Sequence, residues 1–155
     1  RRIRCVVIGK TSGGNLLKAM VKKEGLEGVF EFRPPQTDIE SVLHAMDIFV
    51  YPALFEEFGQ SVQEAMACGV PVLTSKRVGA AELVAEVKEA SDFILDAPDP
   101  VEMSHRLHGL LQFPQKLSSF AEAAWKAVRD NTWERNFGLT LQIAQRLLEQ
   151  RGKRE

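Results

Sequence analysis

Short, β-branched apolar runs alternate with helical stretches from the start of the chain to residue 95, and no other feature limits the possible folds so tightly. The runs at 3–8, 29–32, 48–51, 70–74 and 93–95 have the length and composition of buried strands. Gly9, Gly28, the Pro34-Pro35 pair and Gly69 break the chain beside them. Between the strands, 15–24 reads as a helix with Leu16, Leu17, Met20 and Val21 on one side. Asp38 can cap a second helix through residue 46, with Ile39, Val42, Leu43 and Met46 as its buried stripe. A short third helix ends at Gly69, and a fourth covers about 80–88. Strands joined through helices require crossovers, which give parallel pairing with helices on both faces. The expected fold is therefore α/β: a Rossmann-like, doubly wound parallel sheet of about five strands.

After Asp99-Pro100 the period becomes helical throughout, over 101–111, 115–129 and 133–150. Pro100 suits a first helical turn, and Pro114 separates the first two of these helices. No internal repeat, low-complexity tract or linker interrupts the 155 residues, so residues 1–155 are expected to form one domain.

Composition narrows the function classes. With 45% hydrophobic and 26% charged residues the chain reads as globular rather than disordered, and a net charge of −1 gives no reason to expect nucleic acid. Basic residues gather at Arg1-Arg2-Ile3-Arg4, Lys22-Lys23 and Arg151-Gly152-Lys153-Arg154. These read as solvated ends, with peripheral docking on an anionic inner-membrane leaflet as the alternative. Cys5 and Cys68 lack metal-type spacing and read as buried, reduced thiols. Together with the absence of a visible membrane span or signal peptide, they point to the cytoplasm. The chain opens on Arg1, without methionine, immediately ahead of a strand, which suggests a piece of something longer.

The chemistry concentrates between Tyr51 and Thr74. The chain leaves the third strand, crosses an acidic loop containing Gly59, enters a helix and returns as the fourth strand from Pro71. Such a loop lies at the carboxyl edge of a parallel sheet, where α/β proteins bind ligands. Glu56 and Glu64 flank Phe58, Gly59, Gln60 and Ser61, whose amides a helix N-terminus would direct at an anion. Acid groups for sugar hydroxyls and amides for a phosphate suggest a nucleotide-sugar site. Ser61-Val62-Gln63-Glu64 also has the form of a capping box, in which Glu64 would fold back onto its own helix end. His44, His105 and His108 have no partners at metal or triad spacing and read as surface residues, whereas Trp125 and Trp133 read as core anchors.

Glu56, Phe58, Gly59, Glu64, Ala65, Cys68, Gly69 and Pro71 resemble the E-x7-E segment of the retaining glycosyltransferases of family 4. The likeness continues through Thr74, Ser75, Gly79 and Glu82, and again at Asp99-Pro100 and Thr132-Trp133-Glu134. That family has the two-domain GT-B fold, with this segment in its C-terminal, donor-binding half. The resemblance implies that Glu56 meets hydroxyls of the transferred sugar and acts as the catalytic-site acid. It implies that Glu64 accepts from the ribose hydroxyls and that the amides from Phe58 to Ser61 contact sugar or diphosphate. Arg33, just past the second strand, falls where the family packs beside the nucleotide base. Trp133 would seat a last helix that in the family often crosses onto the other domain.

This sequence departs from the family in carrying Glu57 where glycine usually follows the first glutamate, which leaves Glu57 as an alternative to Glu56. The family's phosphate-binding Arg and Lys belong to a unit preceding this chain, and Lys10 and Lys76 are conceivable substitutes. No D-x-D occurs, and no metal or other cofactor is expected. The resemblance thus implies transfer of a hexose from a nucleoside diphosphate sugar, a UDP-sugar first. The acceptor would be a glycan or lipid-linked hydroxyl held by an N-terminal domain, as in lipopolysaccharide or surface polysaccharide synthesis. This domain alone would be inactive. The alternative is a non-catalytic, regulatory nucleotide-sugar-binding module.

Overall fold

The computed structural model describes residues 3–10 and 14–152. Thr11 and Ser12, and from the two basic ends Arg1, Arg2, Lys153 and Arg154, lie outside the described residues. The chain divides into two compact units, Arg1–Ser41 and Val42–Glu155.

In the first unit, β1 (Cys5–Ile8) and β2 (Phe30–Arg33) pair in parallel, Cys5 opposite Phe30 and Ile8 opposite Arg33, with α1 (Gly14–Lys23) between them in sequence. Every strand residue is half-buried. Of the expected stripe on α1 only Val21 is buried; Leu16 and Met20 remain 70% and 56% exposed, so the helical period holds while the burial assigned to it does not. Cys5 is likewise half-buried, and burial pushes its thiol pKa up. The unit boundary falls inside α2 (Ile39–His44), which Asp38 caps by accepting from the Ser41 amide at 3.0 Å.

The second unit holds β3 (Phe49–Tyr51), β4 (Val72–Ser75) and β5 (Ile94–Leu95) as a parallel sheet in the order β3-β4-β5. The five parallel strands are thus present, distributed over two sheets. All four residues of β4 are buried. Against it pack α3 (Gln60–Ala67) through Val62, Ala65 and Met66, and α4 (Ala81–Ala85) through Val84. The expected fourth helix stops early, and a 3-10 turn (Ala90–Phe93) delivers Phe93 to the core. There its ring stacks on Phe120 with centroids 3.7 Å apart.

α5 (Pro100–Gln112) begins as read from the sequence: Asp99 accepts from the Glu102 amide at 2.8 Å and Pro100 occupies the first turn. α6 (Pro114–Val128) closes the core with Leu117, Phe120, Ala124 and Val128. The two tryptophans are not core anchors. Trp125 is 41% exposed under the Arg129 guanidinium, and Trp133 is 79% exposed at the start of α7 (Trp133–Gly152). No helix among the described residues is long and apolar enough to cross a membrane.

Candidate functional site

The site is built at the carboxyl end of β3. Two hydroxyls on β4, both fully buried, hold the exit of that strand: Thr74 Oγ1 donates to the Tyr51 carbonyl at 3.0 Å, and Ser75 Oγ to the Ala53 carbonyl at 3.2 Å. Unpaired buried hydroxyls would each be costly, so these bonds satisfy Thr74 and Ser75 and fix the loop in the same stroke. Beyond them the loop runs beside residues 77–80. The Glu56 amide donates to the Arg77 carbonyl, the Gly79 amide to the Glu56 carbonyl and the Ala80 amide to the Phe58 carbonyl, at 3.1, 2.9 and 2.6 Å.

Two glycines permit this approach. A Cβ on Gly79 would sit 2.0 Å from the Glu57 carbonyl oxygen, and one on Gly59 would sit 2.5 Å from Val78 Cγ1. Gly59 also adopts φ +79°, the left-handed region that favours glycine. It is the N-cap of α3, where the capping box would have placed Ser61, and no side chain caps this helix end. The capping-box reading of Glu64 is therefore corrected: Ser61 lies inside the first turn and Glu64 in the middle of the helix.

Glu56 is half-buried and folds over the turn that follows it. One carboxylate oxygen accepts from the Phe58 and Gly59 amides at 3.4 and 3.3 Å, and the other accepts from the Tyr51 hydroxyl at 3.3 Å. Two of the four amides expected to face a ligand are thus taken by Glu56 itself. Those of Gln60 and Ser61 have no partner among the described residues, as the first N–H groups of a helix usually do not. Glu64 is half-buried, and its carboxylate has no partner among the described residues. Phe58 is 56% exposed rather than covering the sheet edge. Glu57 is exposed, and its φ is not positive; among the described non-glycine residues only Glu89 has that conformation. The loop therefore accepts glutamate at 57 without backbone strain.

Arg33 belongs to the first unit, where its guanidinium donates to Glu31 at 2.6 Å and Arg4 binds the same carboxylate. Lys76 is paired with Asp96 at 2.5 Å, and Lys10 is exposed. Gly79 and Glu82 line a shallow cavity of about 270 Å³ with Lys76 and Val78, which neither Glu56 nor Glu64 lines. His44, His105 and His108 are exposed. Tyr51 carries a role that sequence reasoning passes over, because a tyrosine closing an apolar strand reads as packing. Its one signal is a phenol five residues before an acidic loop residue. Burial, with the Glu56 carboxylate beside it, pushes the Tyr51 pKa up, so the hydroxyl keeps its proton and donates.

Residues 1–127 match the family model described as "Glycosyl transferases group 1". The chain belongs to that family. The match bears out the resemblance drawn from the E-x7-E segment. A D-inositol 3-phosphate glycosyltransferase of Catenulispora acidiphila is 30% identical over 92% of the chain and 35% of its own length. The lipopolysaccharide core biosynthesis mannosyltransferase LpsB of Rhizobium meliloti is 36% identical over 61% of the chain and 28% of its own length. Among solved structures, Anabaena Alr3699/HepE in complex with UDP and glucose superposes with a TM-score of 0.77 at 25% identity. That likeness covers 94% of this chain and 40% of that one. The chain spans about a third of the length of the curated relatives it matches.

Proposed function

We propose that this chain is the nucleotide-sugar-binding half of a retaining hexosyltransferase, with a UDP-sugar as the first donor to consider. The observation that carries the reading is Glu64. Glu64 is half-buried, yet its carboxylate binds no other described residue and its oxygens are left to water, so both acceptors are open to an incoming vicinal diol. It stands on the same short helix as the two open amides of Gln60 and Ser61, which suit the diphosphate. Glu56 supplies the acid facing the transferred sugar, with Phe58 and Gly59 shaping the turn around it. The solved neighbour that binds UDP and glucose supports the donor class, and the lipopolysaccharide mannosyltransferase supports a surface glycan or lipid-linked acceptor.

In the proposed reaction the acceptor hydroxyl attacks the anomeric carbon from the face that the diphosphate leaves. The new glycosidic bond forms as the bond to phosphate oxygen breaks, and the hydroxyl proton passes to the departing diphosphate. Amide dipoles, together with cations from the rest of the protein, stabilise that leaving group without a metal. The acceptor domain completes the cleft at the cytoplasmic face of the membrane, so the isolated domain is expected to bind donor without turning it over.

Titrating the intact protein with UDP-glucose and GDP-mannose while following its melting point tests the reading, since specific binding stabilises by mass action. A shift with one donor that Glu64→Ala abolishes is the expected result. An unchanged shift in Glu64→Ala overturns it.

A further inference from the structure

We propose that Tyr51 is a positioning residue for Glu56: its hydroxyl holds one carboxylate oxygen while the Phe58 and Gly59 amides hold the other, so that the acid meets the donor sugar in one orientation. The inference rests on the donor-site reading above and adds to it the residue that aims its acid.

A glutamate on a loop has three rotatable side-chain bonds and, exposed to water, samples many rotamers. Glu56 is restrained from two directions. The amides come from its own turn, so they orient the carboxylate only relative to that turn. Tyr51 differs because it is anchored in the sheet. Its ring stacks on Phe49 with centroids 5.9 Å apart and planes 14° from parallel. Its backbone pairs with Thr74 on β4, and the buried Thr74 hydroxyl binds its carbonyl at 3.0 Å. Among the described residues the phenol is therefore the one side chain of the sheet that binds the Glu56 carboxylate, whereas the bonds to Arg77 and Gly79 hold only its backbone.

All three contacts, at 3.3 to 3.4 Å, are at the long end of the hydrogen-bond range, as is common in sites that tighten only around their substrate. Donor hydroxyls approaching Glu56 compete first with the amides of the turn. The Tyr51 bond then keeps the carboxylate from following them into an unproductive rotamer.

Tyr51→Phe removes the hydroxyl and keeps the ring on Phe49. In the intact protein, affinities for UDP-glucose and for UDP alone are to be measured in wild type, Tyr51→Phe, Glu56→Ala and the double variant, alongside melting points. Tyr51→Phe is expected to weaken UDP-glucose roughly tenfold, the size of one hydrogen bond to a charged group, and to leave UDP within about twofold. The melting point should stay unchanged, and the change should add nothing in the Glu56→Ala background. Equal loss of UDP and UDP-glucose, a full effect persisting without Glu56, or no effect at all overturns the proposal. If Glu56→Ala itself leaves the preference for UDP-glucose over UDP intact, the donor-site reading of Glu56 fails and this inference fails with it. If Glu56→Ala removes that preference and Tyr51→Phe does not, only the positioning role falls.

Discussion

β1 and β4 are both four-residue strands with parallel neighbours, yet one is half-buried along its length and the other wholly enclosed. β1 has a single partner strand within its unit, whereas β4 lies between β3 and β5 beneath α3 and α4. Enclosure changes what a polar residue must do. On β4, Thr74 and Ser75 cannot reach water, so their hydroxyls bind the carbonyls at the exit of β3, and burial becomes positional control of the site loop. On β2, beside β1, Glu31 stays near solvent and pairs instead with Arg4 and Arg33. Surface pairs of this kind hold little and vary with pH.

The contrast is most exposed to disproof at the core ring. Phe93→Ala, in the enclosed unit, should cost about 3–5 kcal/mol in urea unfolding. Phe32→Ala on half-buried β2 should cost well under half as much, and equal losses would break the distinction. Next in size, Thr74→Val leaves the Tyr51 carbonyl without its hydroxyl donor and should cost about 1–3 kcal/mol. It should also speed hydrogen exchange at the Phe58 and Gly59 amides, whereas exchange confined to β4 would separate packing from loop control. Asp99→Ala removes the α5 cap and should cost about 1 kcal/mol by thermal denaturation, with Asp99→Asn retaining most of it.

The smallest effect concerns pH and the first unit. Hydrogen bonds from Arg33, then Arg4, hold the Glu31 pKa below its ordinary 4.5. A carboxylate with a depressed folded pKa contributes stability above its unfolded value and loses it as pH falls through the folded one. Melting points should therefore drop slightly below about pH 4.5, and Glu31→Gln should lower the neutral-pH value by that small increment while leaving the acid value nearly unchanged.

The order of elements was open to reading because each turn carries its own chemistry. Asp38, Asp99-Pro100 and Pro114 start helices where such residues can, and the carboxyl end of β3 is where a loop of this acidity belongs. Burial was less legible. Leu16 and Met20 on α1, or Trp133 on α7, have the right period, but a period states which residues share a face and not whether anything covers it. The site failed to be legible in one specific way. E-x7-E places two acids at one loop and helix, but it does not reveal that Glu56 satisfies the amides of its own turn, since that depends on the left-handed Gly59. Nor does it show that Gly79 is needed less for its own turn than for the passage of Glu57. The Tyr51 hydroxyl went unseen for a similar reason: its partner is set by where β3 ends relative to the loop, a three-dimensional fact.

The segment from Tyr51 to Phe58 is fastened largely by peptide groups and by hydroxyls reaching from β4, while Leu54 and Phe55 within it stand 83% and 75% exposed. Those two outward side chains hold nothing in place. A lineage can rewrite them while the trace that carries the acid stays where it is.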